Sequence, residues 1–127
     1  MVMSDTDRTT VEDVMSTPLE TIAEDATVME AAQLMEDKEI SALVVRTTPR
    51  SIVSSTDVLR AVAEGRDTSK LTVSDVMTTD VETAAPDLYM EEVAAMMTNY
   101  GIKHLPVVED DYVGMVSSTD VTAHLSR

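Results

Sequence analysis

The sequence spells VSSTDV twice, at Val53–Val58 and again at Val116–Val121. These two copies belong to a repeat that runs through most of the chain. Laid over itself at an offset of 62 and then 63 residues, the sequence matches EDVMSTPLET (Glu12–Thr21) with SDVMTTDVET (Ser74–Thr83). It matches SIVSSTDV (Ser51–Val58) with GMVSSTDV (Gly114–Val121). Ile40 and Val45 of ISALVV fall on Ile102 and Val107 of IKHLPVV. The extra residue enters between Val45 and Ser51, where RTTPR faces VEDDYV, and a hairpin loop tolerates such a change. Repetition at this period means that one supersecondary unit is used twice. A unit of about 60 residues buries too little surface to be comfortable alone, so the two are expected to pack sheet to sheet into one pseudo-two-fold module.

Both copies read as the same order of elements. An extended segment runs through Leu19–Ile22 in the first and Val81–Ala84 in the second. A helix follows. Thr27 and Glu30 have the Thr-x-x-Glu spacing of a capping box, and Val28, Ala31, Ala32 and Met35 recur at helical spacing. Met90, Val93, Ala94 and Met97 repeat that stripe. Two β-rich runs come next, Ala42–Val45 with Ile52–Ser54, and Leu105–Val108 with Val113–Ser117. A second helix starts at the repeated motif, with Val58 and Val62, or Val121 and Leu125, on its apolar side, and Gly65 as a stop for the first of the pair. The fold class expected is α+β, two β-α-β-β-α repeats. Residues 1–10 are expected to be a flexible N-terminus, 11–64 the first repeat, 65–72 a polar linker and 73–127 the second repeat.

Four stretches, in order, resemble the cystathionine-β-synthase (CBS) domain family, in the tandem form called a Bateman module. They are DVMST with DVMTT, TVMEAAQLM with YMEEVAAMM, GIKHLPVVEDD, and GMVSSTD, a strand-to-helix signature of Gly, two apolar residues, Ser or Thr, two variable residues and Asp. The resemblance covers Val11 to Leu125. The first copy departs from the pattern: Ser51 stands where Gly is usual and Val44 where Pro is usual, and RTTPRS lacks the acidic turn.

The motif itself admits two readings. Ser, Thr and Asp before a helix are ordinary caps, whose oxygens accept helix N–H groups. A helix start also suits a phosphate, through its unpaired N–H groups and partial positive charge. The hydroxyls of Ser54 and Thr56 can donate to that phosphate, and the carboxylate of Asp57 can accept from the cis-diol of a ribose. Members of the resembling family that bind adenosine nucleotides use the motif in this way. Carried over, Ser54, Thr56 and Asp57 make one site and Ser117, Thr119 and Asp120 the other. The resemblance further implies a slot for the base lined by Thr21, Ile40, Ser41 and Ala42, and by Thr83, Ile102, Lys103 and His104. Thr21 and Thr83 read equally as exposed strand residues. In a strand Lys103 and His104 face opposite ways, and His104 fits packing as well as ligand contact. His124 reads as a surface helix residue. Met15 and Met77 are placed by the resemblance near the ligand cleft, while GluAspAsp at Glu109–Asp111 reads as a hairpin tip.

Other classes of function fit less well. The chain has no Cys, and its two His lie far apart, which excludes thiolate chemistry and argues against a metal site. No nucleophile–base pair or Gly-rich phosphate loop is evident, so no catalytic residue is assigned and no cofactor is required. A net charge of −15, from 24 acidic and 9 basic residues, opposes nucleic acid and anionic membrane alike. No signal peptide or membrane-length apolar run is present, which points to the cytoplasm. The remaining expectation is a regulatory module that senses AMP, ADP, ATP or S-adenosylmethionine in clefts between the repeats. The alternative is a ligand-free module for dimerisation or docking. A homodimer is expected, with helix faces such as Met90, Val93 and Met97 supplying contact, and the protein target is not identifiable. Charge repulsion ranks AMP or an S-adenosyl compound above ATP, and the regular Pro106 and Gly114 make the second copy the tighter site.

High Asp and Glu with only three Lys resembles the composition of proteins from salt-rich cytoplasms. Self-repulsion on so small a body grows as the Debye length lengthens. The melting temperature is therefore expected to rise between low and molar KCl; a flat or falling series would remove the salt-adapted reading.

Overall fold

A computed structural model describes residues 8–125, which form two compact units. One unit is contiguous, Glu20–Val81. The other is split, joining the chain up to Leu19 to the chain from Glu82 onward.

The contiguous unit holds a three-stranded sheet. Strand β1 (Thr21–Ile22) runs parallel to β2 (Ala42–Val45), with Thr21 opposite Val44, and β2 pairs antiparallel with β3 (Ser51–Ser54), with Ala42 opposite Ser54. All four β2 residues are buried, as a central strand covered on both faces requires. Helix α2 (Val28–Lys38) opens on the capping box read from the sequence: the Thr27 hydroxyl accepts from the Glu30 N–H at 3.0 Å, and the Glu30 carboxylate accepts from the Thr27 N–H at 3.1 Å. Its buried residues Val28, Ala31 and Met35 form the expected stripe, and Glu39 ends it in the left-handed conformation. Helix α3 (Ser55–Ala63) ends where Gly65 turns at φ 74°. The core gathers Ile22, Ala31, Met35, Leu43, Val45, Val53 and Val73.

Val73 reaches this core from beyond the linker. A 3₁₀ turn at Val73–Asp75 is stitched on by Val73 N–H to the Ala26 carbonyl at 2.8 Å, and Val28 N–H to the Leu71 carbonyl at 2.8 Å. Thr78 then bridges Ile52, each N–H donating to the other's carbonyl at 2.7 and 3.0 Å.

The split unit repeats this plan. Its hairpin is β4 (His104–Val108) with β5 (Tyr112–Ser117), its helices α4 (Met90–Tyr100) and α5 (Ser118–Leu125). Gly101 closes α4 at φ 64°, the position that Glu39 fills in the other unit. The expected strand at Val81–Ala84 contracts to a single bridge, Ala84 to Val107, in register with Ile22 to Val45. A four-residue helix α1 (Val11–Val14), capped by Thr10 and Asp13, precedes the first VM and buries Val11 completely. Ser16 pairs with Met115 through two backbone bonds of 2.8 and 3.1 Å. Here the VM segment of the first repeat covers the hairpin of the second. The core contains Val11, Ala84, Met90, Val93, Met97, Leu105, Val107, Val116 and Val121.

Several expectations shift. Of the residues read as a flexible N-terminus, 1–7 lie outside the described residues, while the Arg8 guanidinium sits 3.7 Å over the Tyr89 ring and 3.4 Å from the Glu91 carboxylate. The apolar side of α3 holds at Val58, which packs against the core, but shifts beyond it: Asp57 and Ala61 are the buried pair, and Val62 is 56% exposed. The side chain of Leu125 lies outside those described. His124 is half-buried rather than on the surface, with Nδ1 buried and unpaired. Met90, Val93 and Met97 are buried in their own core and are not available to a partner.

Gly114 follows from the Ser16–Met115 bridge. A Cβ there would stand 2.8 Å from the Met15 sulfur and 2.9 Å from the Ser16 carbonyl oxygen, and a backbone atom cannot swing away. Gly114→Ala is expected to lower stability by about 1–3 kcal/mol, as overpacked sites do. Denaturant unfolding of the two proteins measures it, and equal midpoints would show that the segment moves freely.

Candidate functional site

The strands bring most of the expected site residues together. Antiparallel pairing sets Ala42 opposite Ser54, so Ile40–Ala42 lies beside the start of α3, where the Ser55 N–H donates to the Ser41 carbonyl at 2.9 Å. In the split unit His104 is opposite Ser117, and the Ser118 N–H donates to the Lys103 carbonyl at 2.8 Å. Ile40 and Ile102 are half-buried, Ser41 and Lys103 exposed, and His104 half-buried. Thr21 lies on the far edge strand β1, and its hydroxyl accepts from the Arg46 guanidinium at 2.8 Å. Thr83 is exposed in the loop before Ala84.

At each helix start the serine and aspartate cap one another. The Ser54 N–H and hydroxyl donate to Asp57 Oδ2 at 2.8 and 3.0 Å, and the Asp57 N–H donates back to the hydroxyl at 3.3 Å. Ser117 and Asp120 reproduce this at 2.8, 3.0 and 3.2 Å. The serine proton is thereby committed to the aspartate. The uncommitted hydroxyls at these helix starts belong to Ser55, Thr56, Ser118 and Thr119. Capping uses one carboxylate oxygen and leaves Oδ1, so a cap and a diol acceptor can be the same residue.

The two ends differ at Oδ1. Asp57 Oδ1 faces Arg60 Nη1 at 3.6 Å. Asp57 lines a cavity of about 260 Å³ with Arg60, Glu64, Arg66, Asp75 and Val76. Two Thr72 hydrogen bonds, from N–H and hydroxyl, hold the Asp75 carboxyl below its ordinary range, and Arg66 adds a smaller pull. Thr56 opens instead onto a groove of about 510 Å³ between α2 and α3, with Ala32, Met35, Ile40, Leu59 and Val62. The structure therefore turns Thr56 and Asp57 toward different spaces.

Arg46, Arg66 and Asp75 were not singled out from the sequence. Arg66 reaches the cavity because the chain folds back after Gly65, its N–H donating to the Ala61 carbonyl at 3.1 Å. The glycine stop was the only signal of that return. Among the described residues no cluster of three or more His, Asp or Glu could hold a metal ion, and no helix is long and apolar enough to cross a membrane.

Comparison with known proteins agrees with this fold. A family model described as the CBS domain matches twice, at residues 11–64 and 73–127. The CBS domain-containing protein YhcV of Bacillus subtilis is 30% identical over 118 residues, covering 90% of this chain and 84% of that protein. A homoserine O-acetyltransferase of Methanococcus vannielii is 33% identical over 117 residues, 88% of this chain but 24% of that protein, so the chain spans about a quarter of that relative's length. The CBS domain pair of protein MJ0100, solved with 5′-methylthioadenosine and S-adenosyl-L-methionine, superposes with a TM-score of 0.83 at 31% identity, covering 94% of this chain and 97% of that one. A hexameric CBS-CP12 protein from bloom-forming cyanobacteria gives 0.86 at 28% identity, covering 91% and 71%.

Proposed function

The chain belongs to the CBS-domain family as a tandem pair, and from that premise we propose that it is a regulatory module whose ligand contains adenosine. The observation that carries the reading is the second carboxylate oxygen, Oδ1, that the cap leaves unused on Asp57 and Asp120, at helix starts whose N–H groups meet the Ser41 and Lys103 carbonyls. The ligands of the MJ0100 pair supply the chemical class. The repeats as bounded by sequence, 11–64 and 73–127, are the sensing pair, and no reaction is assigned to either.

Self-association is the second part of the proposal. Leu59 is 68% and Val62 56% exposed, and both border the groove between α2 and α3. Contiguous apolar surface of this kind marks an interaction site, and a two-fold axis makes one patch complementary to itself. The counterpart of Leu59 in the second repeat is Thr122, so the patch belongs to the contiguous unit.

AMP or 5′-methylthioadenosine at a hundred times its dissociation constant is expected to stabilise the fold by about 2.7 kcal/mol. Asp57→Asn and Asp120→Asn are expected to reduce that gain while changing the ligand-free melting temperature little, because the Asn side-chain carbonyl can still accept from the serine N–H in the capping box. Variants that melt much lower yet bind normally would reduce the motif to a cap. Sedimentation of the protein with Leu59→Glu and Val62→Glu is expected to show a monomer where the parent shows a dimer. A parent that stays monomeric at high concentration in high salt would end the dimer reading.

A further inference from the structure

The two ends of the module place different groups three residues after the capping aspartate. Arg60 follows Asp57, whereas Ala123 follows Asp120. We propose that Arg60 makes the Asp57 cavity selective for adenosine ligands that carry a phosphate, while the Asp120 end accepts those without one. The proposal rests on the adenosine reading above and deepens it.

The geometry at Asp57 sets a competition. Oδ2 is held by the cap, and Oδ1 is the oxygen that a ribose diol needs, yet the Arg60 guanidinium lies 3.6 Å from it. A diol that takes Oδ1 must displace that guanidinium. Displacement is cheap, since the Arg60 side chain is 65% exposed and an ion pair of this kind is weak. What happens next depends on the ligand. A 5′-phosphate offers the displaced guanidinium a fork of oxygens, and such charge-assisted pairs are the stronger kind of hydrogen bond. A thioether offers nothing, and leaves Asp57 without its counter-charge. A sulfonium adds a positive charge to a cavity that already holds Arg60 and Arg66.

Arg66 supports the same assignment from a second element. It lies beyond the turn at Gly65, on the cavity wall with Asp75, so two guanidiniums from separate stretches border one space of about 260 Å³. Glu64 and Asp75 border it too, and their charge limits how many phosphates the cavity tolerates. A monophosphate suits two guanidiniums better than a triphosphate does.

Among the described residues no guanidinium competes at the other end. Asp120 Oδ1 has no hydrogen-bond or ion-pair partner among the described residues, and Ala123 is exposed. Among the described residues no ion pair joins Lys103 to Asp120. A diol can take Oδ1 there directly, and a phosphate finds no fork to meet it. Each ligand class thus has its own preferred end, which replaces a single ranking of the two copies.

Calorimetric titration tests this with AMP and with 5′-methylthioadenosine, in the full chain at fixed high salt without magnesium. Arg60→Ala is expected to weaken AMP about tenfold and to leave methylthioadenosine unchanged or tighter. Adding Ala123→Arg to that variant is expected to restore AMP binding, now abolished by Asp120→Asn rather than by Asp57→Asn. Circular dichroism checks that each variant folds. AMP binding unaltered by Arg60→Ala, or both ligands weakening alike, would overturn the role of Arg60 while leaving the adenosine reading intact. A parent that binds neither compound would overturn both.

Discussion

A hairpin of short strands cannot stand alone in water, because its outer edge is unpaired and its apolar face has nothing to bury against. Both hairpins here meet that constraint through one device. The residue after a VM dipeptide, Ser16 or Thr78, exchanges two backbone hydrogen bonds with the second strand of a hairpin. Just before it, a short capped turn drives a valine, Val11 or Val73, into the core with no surface left exposed. The close approach of Met15 and Ser16 leaves no room for a Cβ at Gly114. At the matching place Ser51 is buried and shares a hydrogen bond of 2.7 Å with the Thr47 hydroxyl. The first repeat has thus replaced the small residue with a polar one that satisfies itself locally.

The same economy governs the helix starts. Ser54 with Asp57, and Ser117 with Asp120, close a reciprocal cap that orders the backbone where strand meets helix. The cap engages each carboxylate through Oδ2, and at Asp57 the Arg60 guanidinium faces the other oxygen at 3.6 Å. In the function proposed above, stability and recognition would fall to different oxygens of one side chain. The neighbours then give each end its character. Arg60 and Arg66 colour one, and Ala123 leaves the other bare.

Much of this was legible in the letters. Thr27 and Glu30 announced the start of α2, Gly65 the end of α3, and Ala42–Val45 a strand, because each signal acts within a few residues of itself. Periodicity could not reveal α1 or the turn at Val73–Asp75, which are too short to show a repeat. It also misplaced part of the buried side of α3: Val58 packs against the core as read, but Val62 is exposed, and the buried face runs through Asp57 of the cap and Ala61 one turn on. The sequence brought most of the candidate residues into one place, as the pairing of Ala42 with Ser54 shows. The division between Thr56 and Asp57, and the arrival of Arg66 and Asp75 at one cavity, depend on how the chain returns after the helix, which local signals do not encode.

The placement of Val11 bears on the order in which the molecule is assembled. The unit formed by Glu20–Val81 is contiguous, so its partners lie close in sequence and little chain entropy is lost in joining them. The other unit cannot close until the chain has passed Tyr112, where the strand that receives Ser16 begins. On a ribosome the contiguous unit has all its residues first. Through that interval the segment around Val11 is made but unhoused, an apolar plug waiting for a socket still to be synthesised.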